Sequence, residues 1–153
     1  MTGLLAVCHC PSPNTSALRD AAVDAVRGLE LRDLELRVRD PLDAAAADVE
    51  WCNGLLLGTT ENFGYMAGLT KDFFERIYYP CLEATVGLPL AVYIRAGEDG
   101  RGTREAIGRI TTGLCWKYID DPLILRGEWD EAFGEQVAEL AMNLAAGVDA
   151  GIY

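Results

Sequence analysis

Gly54-Leu55-Leu56-Leu57-Gly58-Thr59-Thr60-Glu61-Asn62-Phe63-Gly64-Tyr65-Met66-Ala67-Gly68 opens as an apolar run and closes as a polar, glycine-punctuated one. Gly54–Leu57 reads as a buried strand, and Leu69, Phe73 and Ile77, at fourfold spacing, read as the helix that follows. Residues 58–68 then read as a loop leaving the carboxyl end of a central parallel strand, where open α/β sheets place their ligands. Its glycines let backbone approach a flat ligand closely, and Phe63 and Tyr65 are aromatics able to cover one.

The same alternation extends in both directions. Leu4–Cys8 is a continuous apolar run suited to a strand buried on both faces. A polar loop, His9 to Ser16, separates it from an amphipathic stripe of Leu18, Ala22, Ala25, Val26 and Leu29, with Asn14, Thr15 or Ser16 as the expected cap. Leu34–Val38 alternates like a less buried strand near a sheet edge. Asp40-Pro41 reads as cap plus first helical residue of a short helix through Leu42, Ala45, Ala46 and Val49. Pro80 is expected to break or kink the third helix. Pro89–Ile94 is a fourth strand, followed by the segment 95–103 and a helix carrying Ala106, Ile107, Ile110 and Leu114, with Thr103 as expected cap. Residues 117–125 hold the last strand, blurred by Asp120-Asp121-Pro122, before a helix through Phe133, Val137, Leu140, Ala141 and Leu144. Five strands alternating with five helices predict a doubly wound parallel sheet. The order 2-1-3-4-5 fits, with its crevice between strands one and three.

Composition narrows the functional classes. At 153 residues and 50% hydrophobic, one domain over 1–153 is expected, burying about 70% of its unfolded surface. The net charge of −11, from 24 acidic and 13 basic residues, argues against nucleic-acid or anionic-membrane partners, which need a basic face. Five cysteines, an odd number without metal-site spacing, read as reduced thiols in a cytoplasmic protein, and no metal site is expected. Met1-Thr2-Gly3 enters an apolar strand without a basic leader, and no run approaches about 18 apolar residues, so neither export nor a membrane span is expected.

Other chemistries lack parts. No glycine-rich Walker loop ends in lysine, and Gly100-x-Gly102 falls short of a dinucleotide fingerprint. A phosphatase loop needs an arginine after five intervening residues; from Cys8 or Cys10 that position holds Asn14 or Ser16. A receiver domain needs acids where His9 and Gly58 stand. The lone His9 has no partner in a Ser-His-Asp pattern. Ser12, Asn14, Thr15 and Ser16, around a helix amino end, offer donors for an anion such as phosphate.

Pro11–Leu18 together with Gly58–Phe73 resembles the flavodoxin-like NAD(P)H-dependent FMN reductase and quinone reductase family. The element order matches over nearly the whole chain, and these two segments match closely. The resemblance implies a three-layer flavodoxin-like fold with helices on both faces of a five-stranded parallel sheet. By position it assigns the FMN phosphate to Ser12, Asn14, Thr15 and Ser16. The ring and ribityl chain fall to Thr60, Glu61, Asn62, Phe63 and Gly64, and the ring's pyrimidine end to Ala96, Gly97, Gly100 and Gly102. Pro13 stands where the family has glycine and removes one N–H from the phosphate nest, while Thr60 replaces the usual proline; a weakly held or exchangeable FMN is the expectation.

No catalytic side chain is required, because the flavin itself would pass hydride from NADH or NADPH to a quinone or similar small acceptor. Tyr65 and Arg101 are the expected substrate contacts, with Arg95, Arg104 and Arg109 adding charge for nucleotide phosphates or merely balancing Glu98, Asp99 and Glu105. Glu61 either meets the ring's amide-like edge or anchors its own loop. A homodimer is implied, since such relatives often complete the flavin site across an interface. Two other readings stay open: a flavodoxin-type carrier docking a basic protein through its acidic surface, and a relative that has lost flavin.

Overall fold

A computed structural model describes residues 1–153. In chain order the elements are β1 (Thr2–Cys8), α1 (Pro13–Gly28), β2 (Leu34–Arg39), α2 (Ala46–Trp51), β3 (Gly54–Asn62), β4 (Tyr65–Met66), α3 (Gly68–Cys81), β5 (Pro89–Ala96), α4 (Arg101–Gly113), β6 (Lys117–Tyr118), β7 (Leu123–Arg126) and α5 (Ala132–Asp149). The strands run in the order β2-β1-β3-β5, and the short β6 and β7 share the next position beside β5. Every ladder of this sheet is parallel; the β3–β4 hairpin alone is antiparallel. With the hairpin strand set aside and β6 and β7 taken as one interrupted strand, this is the expected 2-1-3-4-5 order.

Period-two alternation of the strands supplies two cores. Leu5, Val7, Leu55, Leu57, Leu90, Val92 and Ile94 face α2, α3 and α4, where Phe73, Phe74, Ile77 and Ile107 meet them. Leu4, Ala6, Leu56, Ala91 and Tyr93 face α1 and α5, against Leu18, Val26, Val137 and Leu144. β2 is half-buried throughout, as expected of the edge. No helix is long and apolar enough to cross a membrane.

Local boundaries differ from the sequence reading where tertiary contacts intervene. β3 continues to Asn62 instead of ending at Leu57, because Thr59 and Thr60 pair with Ile94 and Arg95 of β5. α2 begins at Ala46, not beside Pro41: the Arg76 guanidinium donates to the carbonyls of Pro41 (2.6 Å) and Ala44 (2.7 Å) and holds residues 41–44 as a turn. The Asp48 carboxylate then accepts the Ala45 N–H at 3.0 Å. Pro80 lies in the last turn of α3, which stops one residue later. The N-cap of α1 is Ser12, with Pro13 at the first helical position. The cap of α4 is Gly100 in a left-handed conformation (φ 68°), with Thr103 buried in the first turn. Trp116 is buried at the amino end of β6, its Nε1 donating to Thr85 Oγ1 at 2.8 Å. It therefore lies at the opposite end of the sheet from the loops that carry the candidate site.

Burial governs the thiols. Desolvation pushes Cys8 and Cys52 up to about 12 and Cys81 to about 11, from the ordinary 9.0. A thiol reagent at neutral pH is expected to modify exposed Cys115 first and half-buried Cys10 slowly. Cys8, Cys52 and Cys81 should react only on unfolding. Because these folded-state values are raised, the stability they contribute is complete below pH 9 and is lost as pH climbs from about 9 towards 12. Alkaline melting curves with thiol counts check both statements.

Candidate functional site

At the carboxyl end of the sheet the segments after β1, β3, β5 and β7 form one rim. The first is the turn into α1. Ser12 Oγ accepts the Thr15 N–H at 3.2 Å, Thr15 Oγ1 accepts the Ser12 N–H at 3.0 Å, and the two hydroxyls lie 2.9 Å apart. This is a reciprocal capping box, with Thr15 buried. The Asn14 and Ser16 side chains, exposed and half-buried respectively, make no hydrogen bond within the protein.

The second segment is a hairpin rather than an open loop. Glu61 pairs with Met66 and Asn62 with Tyr65, and Phe63 and Gly64 turn the chain with φ of 54° and 72°. Two successive positive φ values define the turn whose twist suits a two-residue hairpin. Glycine takes this conformation freely; phenylalanine does so at a cost of about 1–2 kcal/mol. Phe63 is nonetheless fully exposed at the tip, with Tyr65 beside it partly exposed. Thr60 Oγ1 donates to Asn62 Oδ1 at 2.8 Å, bracing the strand end. Beneath this end, Gly58 sits against the phenol end of the buried Tyr93 side chain, and any side chain there would overlap it.

The third segment, 97–100, is tied to the hairpin twice. The Glu61 carboxylate accepts the N–H groups of Glu98 (2.8 Å) and Gly100 (2.7 Å), one on each oxygen. A Cβ on Gly102 would fall on the Gly64 carbonyl oxygen, so the first turn of α4 seats directly against the hairpin turn. Glu61, Gly64, Gly100 and Gly102 are thus brought together as a clamp, and Glu61 serves the protein's own backbone. Ala96 lies below the rim: its methyl is in the core and its carbonyl accepts N–H donors from Gly127 (2.9 Å) and Arg95 (3.1 Å). Gly97 is different. Its φ is ordinary and nothing lies within 4 Å of where a Cβ would project. Neither conformation nor internal packing requires glycine there, and the space above it is open.

The fourth segment, Gly127 to Glu131, was not singled out from sequence, although Trp129 after the last strand was the available signal. Arg95 Nη1 donates to the Leu125 carbonyl at 3.0 Å, and its guanidinium sits 5.0 Å from the Phe133 ring and 6.0 Å from that of Trp129, without a carboxylate partner. Arg101 is exposed and also makes no ion pair, while Arg104 approaches Asp121 at 3.8 Å. Two half-paired or unpaired cations therefore flank the rim of an otherwise acidic chain. Two depressions, of about 340 and 440 Å³, run beside α5 past Asp120, Leu140 and Asn143. They lie along the sheet edge beside β7, and the first reaches Ile124, which packs against Gly100.

No protein-family model matches the chain, and neither does any curated protein. Solved structures do. A flavodoxin from the domain Archaea superposes with a TM-score of 0.81 at 14% identity, covering 96% of this chain and 99% of that one. A flavodoxin, WrbA-like protein from Agrobacterium tumefaciens reaches 0.76 at 11% identity, covering 98% and 99%. An NADH:FMN oxidoreductase in its apo form reaches 0.74 at 13% identity, covering 96% and 90%. The chain has the flavodoxin-like fold. Its structural neighbours comprise both flavodoxins and an NADH:FMN oxidoreductase, with all three comparisons spanning nearly the full length of each chain.

Proposed function

We propose that this protein is an FMN-binding oxidoreductase that takes electrons from NADH or NADPH and delivers them to a quinone or similar small acceptor. The observation that carries this reading is the open space over Gly97, on a segment that Glu61 ties to a hairpin carrying two exposed aromatics, Phe63 and Tyr65. A flat ligand set in that space is backed on one side by backbone and left accessible on the other, the arrangement that exchange with small molecules needs. Residues 96–102 contain no aromatic to cover the second face.

The residues fit the ring and ribityl parts of FMN. Gly97 and Gly64 would let it approach, Phe63 and Tyr65 would border it, and Asn62 would present a polar side chain. The bound flavin would supply the hydride and electron chemistry. The protein's part is to position it, to hold the rim rigid through Glu61, and to attract the nucleotide's phosphates with Arg95 and Arg101. The same reading takes the protein to be a cytoplasmic homodimer. A carrier role is favoured instead by the net charge of −11, which suits docking to a basic protein.

Flavin absorbance and fluorescence on mixing with FMN, followed by anaerobic NADH or NADPH, test the proposal. Uptake of FMN and rapid bleaching by a nucleotide are expected. Bound flavin that is reduced only by a reductase protein would establish the carrier instead, and no uptake would refute both. Gly97→Val, placing a branched side chain in that space, is expected to weaken FMN binding at least about tenfold while shifting the melting temperature by no more than about 2 °C.

A further inference from the structure

We infer that the turn into α1 gives the flavin's phosphate almost no grip, so that the protein selects its cofactor by ring and ribityl chain and accepts riboflavin nearly as well as FMN. The inference rests on the flavin reading above and concerns which flavins the site takes. A helix amino terminus at the β1–β3 crevice binds an anion through N–H groups left unpaired by the helix. Here they are largely spent or missing. Between His9 and Ser16, Pro11 and Pro13 have none. The His9 N–H goes to the Gly58 carbonyl (2.9 Å), and the Ser16 N–H to the Ser12 carbonyl (3.0 Å). The Ser12 and Thr15 N–H groups go to one another's hydroxyls. Only those of Cys10 and Asn14 remain.

The hydroxyl protons are spent too. Thr15 Oγ1 donates to the Ser12 carbonyl at 2.9 Å, which leaves the Ser12 hydroxyl as donor in the 2.9 Å contact between the pair. Neither has a proton left for a phosphate oxygen, and Thr15 is buried besides. The capping box is therefore closed on itself. Charge around the turn is also unhelpful to a dianion. Asp40 acts on both His9 and Cys10 and Asp20 acts on Cys10; Arg19, the one cation acting on Cys10 and the strongest charge there, is itself paired with Asp20 at 3.1 Å. Burial lowers the His9 imidazole below its usual value, against the opposing pull of Asp40, so at neutral pH it adds no full positive charge. What remains are two N–H groups, the free side chains of Asn14 and Ser16, and one arginine already paired with Asp20.

The test is parallel titration of the purified protein with riboflavin and FMN, read by quenching of flavin fluorescence at two salt concentrations. FMN is expected to bind less than about fivefold more tightly than riboflavin, with little change on adding salt. Pro13→Gly, which restores one N–H at the helix start, is expected to raise FMN affinity about tenfold and leave riboflavin unchanged. An FMN preference beyond about fivefold in the native chain overturns the inference while leaving the flavin reading intact. Binding of neither flavin overturns the flavin reading, and the inference with it. The native chain's own affinity ratio decides the matter even if the glycine variant folds poorly.

Discussion

Replacing Glu61 with alanine is expected to lower the melting temperature by roughly 5–10 °C and to release residues 97–100 from the hairpin. The Glu61 carboxylate accepts two backbone N–H bonds, from Glu98 and Gly100, and hydrogen bonds to a charged group contribute about 1.5–3 kcal/mol each. Glu61 is half-buried, so solvent partly compensates the loss and the net effect is about 2–4 kcal/mol. Gly100 is also the N-cap of α4, and its left-handed conformation is held from the hairpin side by this one carboxylate oxygen. Amide hydrogen exchange at Glu98 and Gly100 should accelerate sharply in the variant, and FMN uptake should weaken with it. Glu61→Gln, which keeps one carbonyl acceptor and turns an N–H₂ towards the other amide, should fall between. Unchanged exchange at both amides would remove Glu61 from the role of clamp.

Gly102→Ala has an expected effect whose sign discriminates between two physical accounts. As a helix residue, glycine replaced by alanine gains about 1 kcal/mol of helix propensity. As a packing residue, Gly102 has no room: the added Cβ falls on the Gly64 carbonyl oxygen, which belongs to backbone and cannot swing aside as a side-chain tip would. Overpacking of this kind costs about 1–3 kcal/mol or more, so net destabilisation with displacement of the hairpin is expected. Gly108→Ala in the same helix is the control, since nothing lies within 4 Å of its added methyl. It should stabilise by about 1 kcal/mol. If both substitutions stabilise, the hairpin and α4 are not in contact in solution. Urea denaturation of the three proteins, with near-ultraviolet dichroism of Tyr65 and its neighbours, measures the outcome.

Much of the fold was legible because burial on both faces of a parallel sheet leaves an unmistakable trace. Leu4–Cys8, Leu55–Leu57 and Leu90–Ile94 are continuous apolar runs, and the stripes of Leu18, Phe73, Ile107 and Val137 mark the helices that cover them. The edge position of β2 was legible in its alternation. Boundaries failed where a distant group altered a local preference. Asp40-Pro41 has the local chemistry of a helix start, yet Arg76, 35 residues from Pro41, takes that turn's carbonyls. Thr59 and Thr60 looked like the opening of a loop until β5 offered them partners.

The site was legible as a set of segments and not as an arrangement. Gly58, Gly64, Gly97, Gly100 and Gly102 were all visible as glycines. The structure separates Gly58 and Gly102, required by Tyr93 and by the Gly64 carbonyl, and Gly64 and Gly100, required by positive φ, from Gly97, required by neither. Ser12 and Thr15 stood out as phosphate donors, but their spacing is also that of a capping box, and in the folded chain they satisfy one another. By itself the sequence determined the alternation of strands and helices and the apolar faces that form the two cores, because these depend on hydrophobic periodicity along the chain. Only the tertiary structure decided that Glu61 reaches the amides of Glu98 and Gly100, 37 and 39 residues away, and that Gly97 stays open above them. Those outcomes depend on which strands lie side by side, and a hydrogen bond or a vacant van der Waals space exists only between groups that the fold has already brought within a few ångströms.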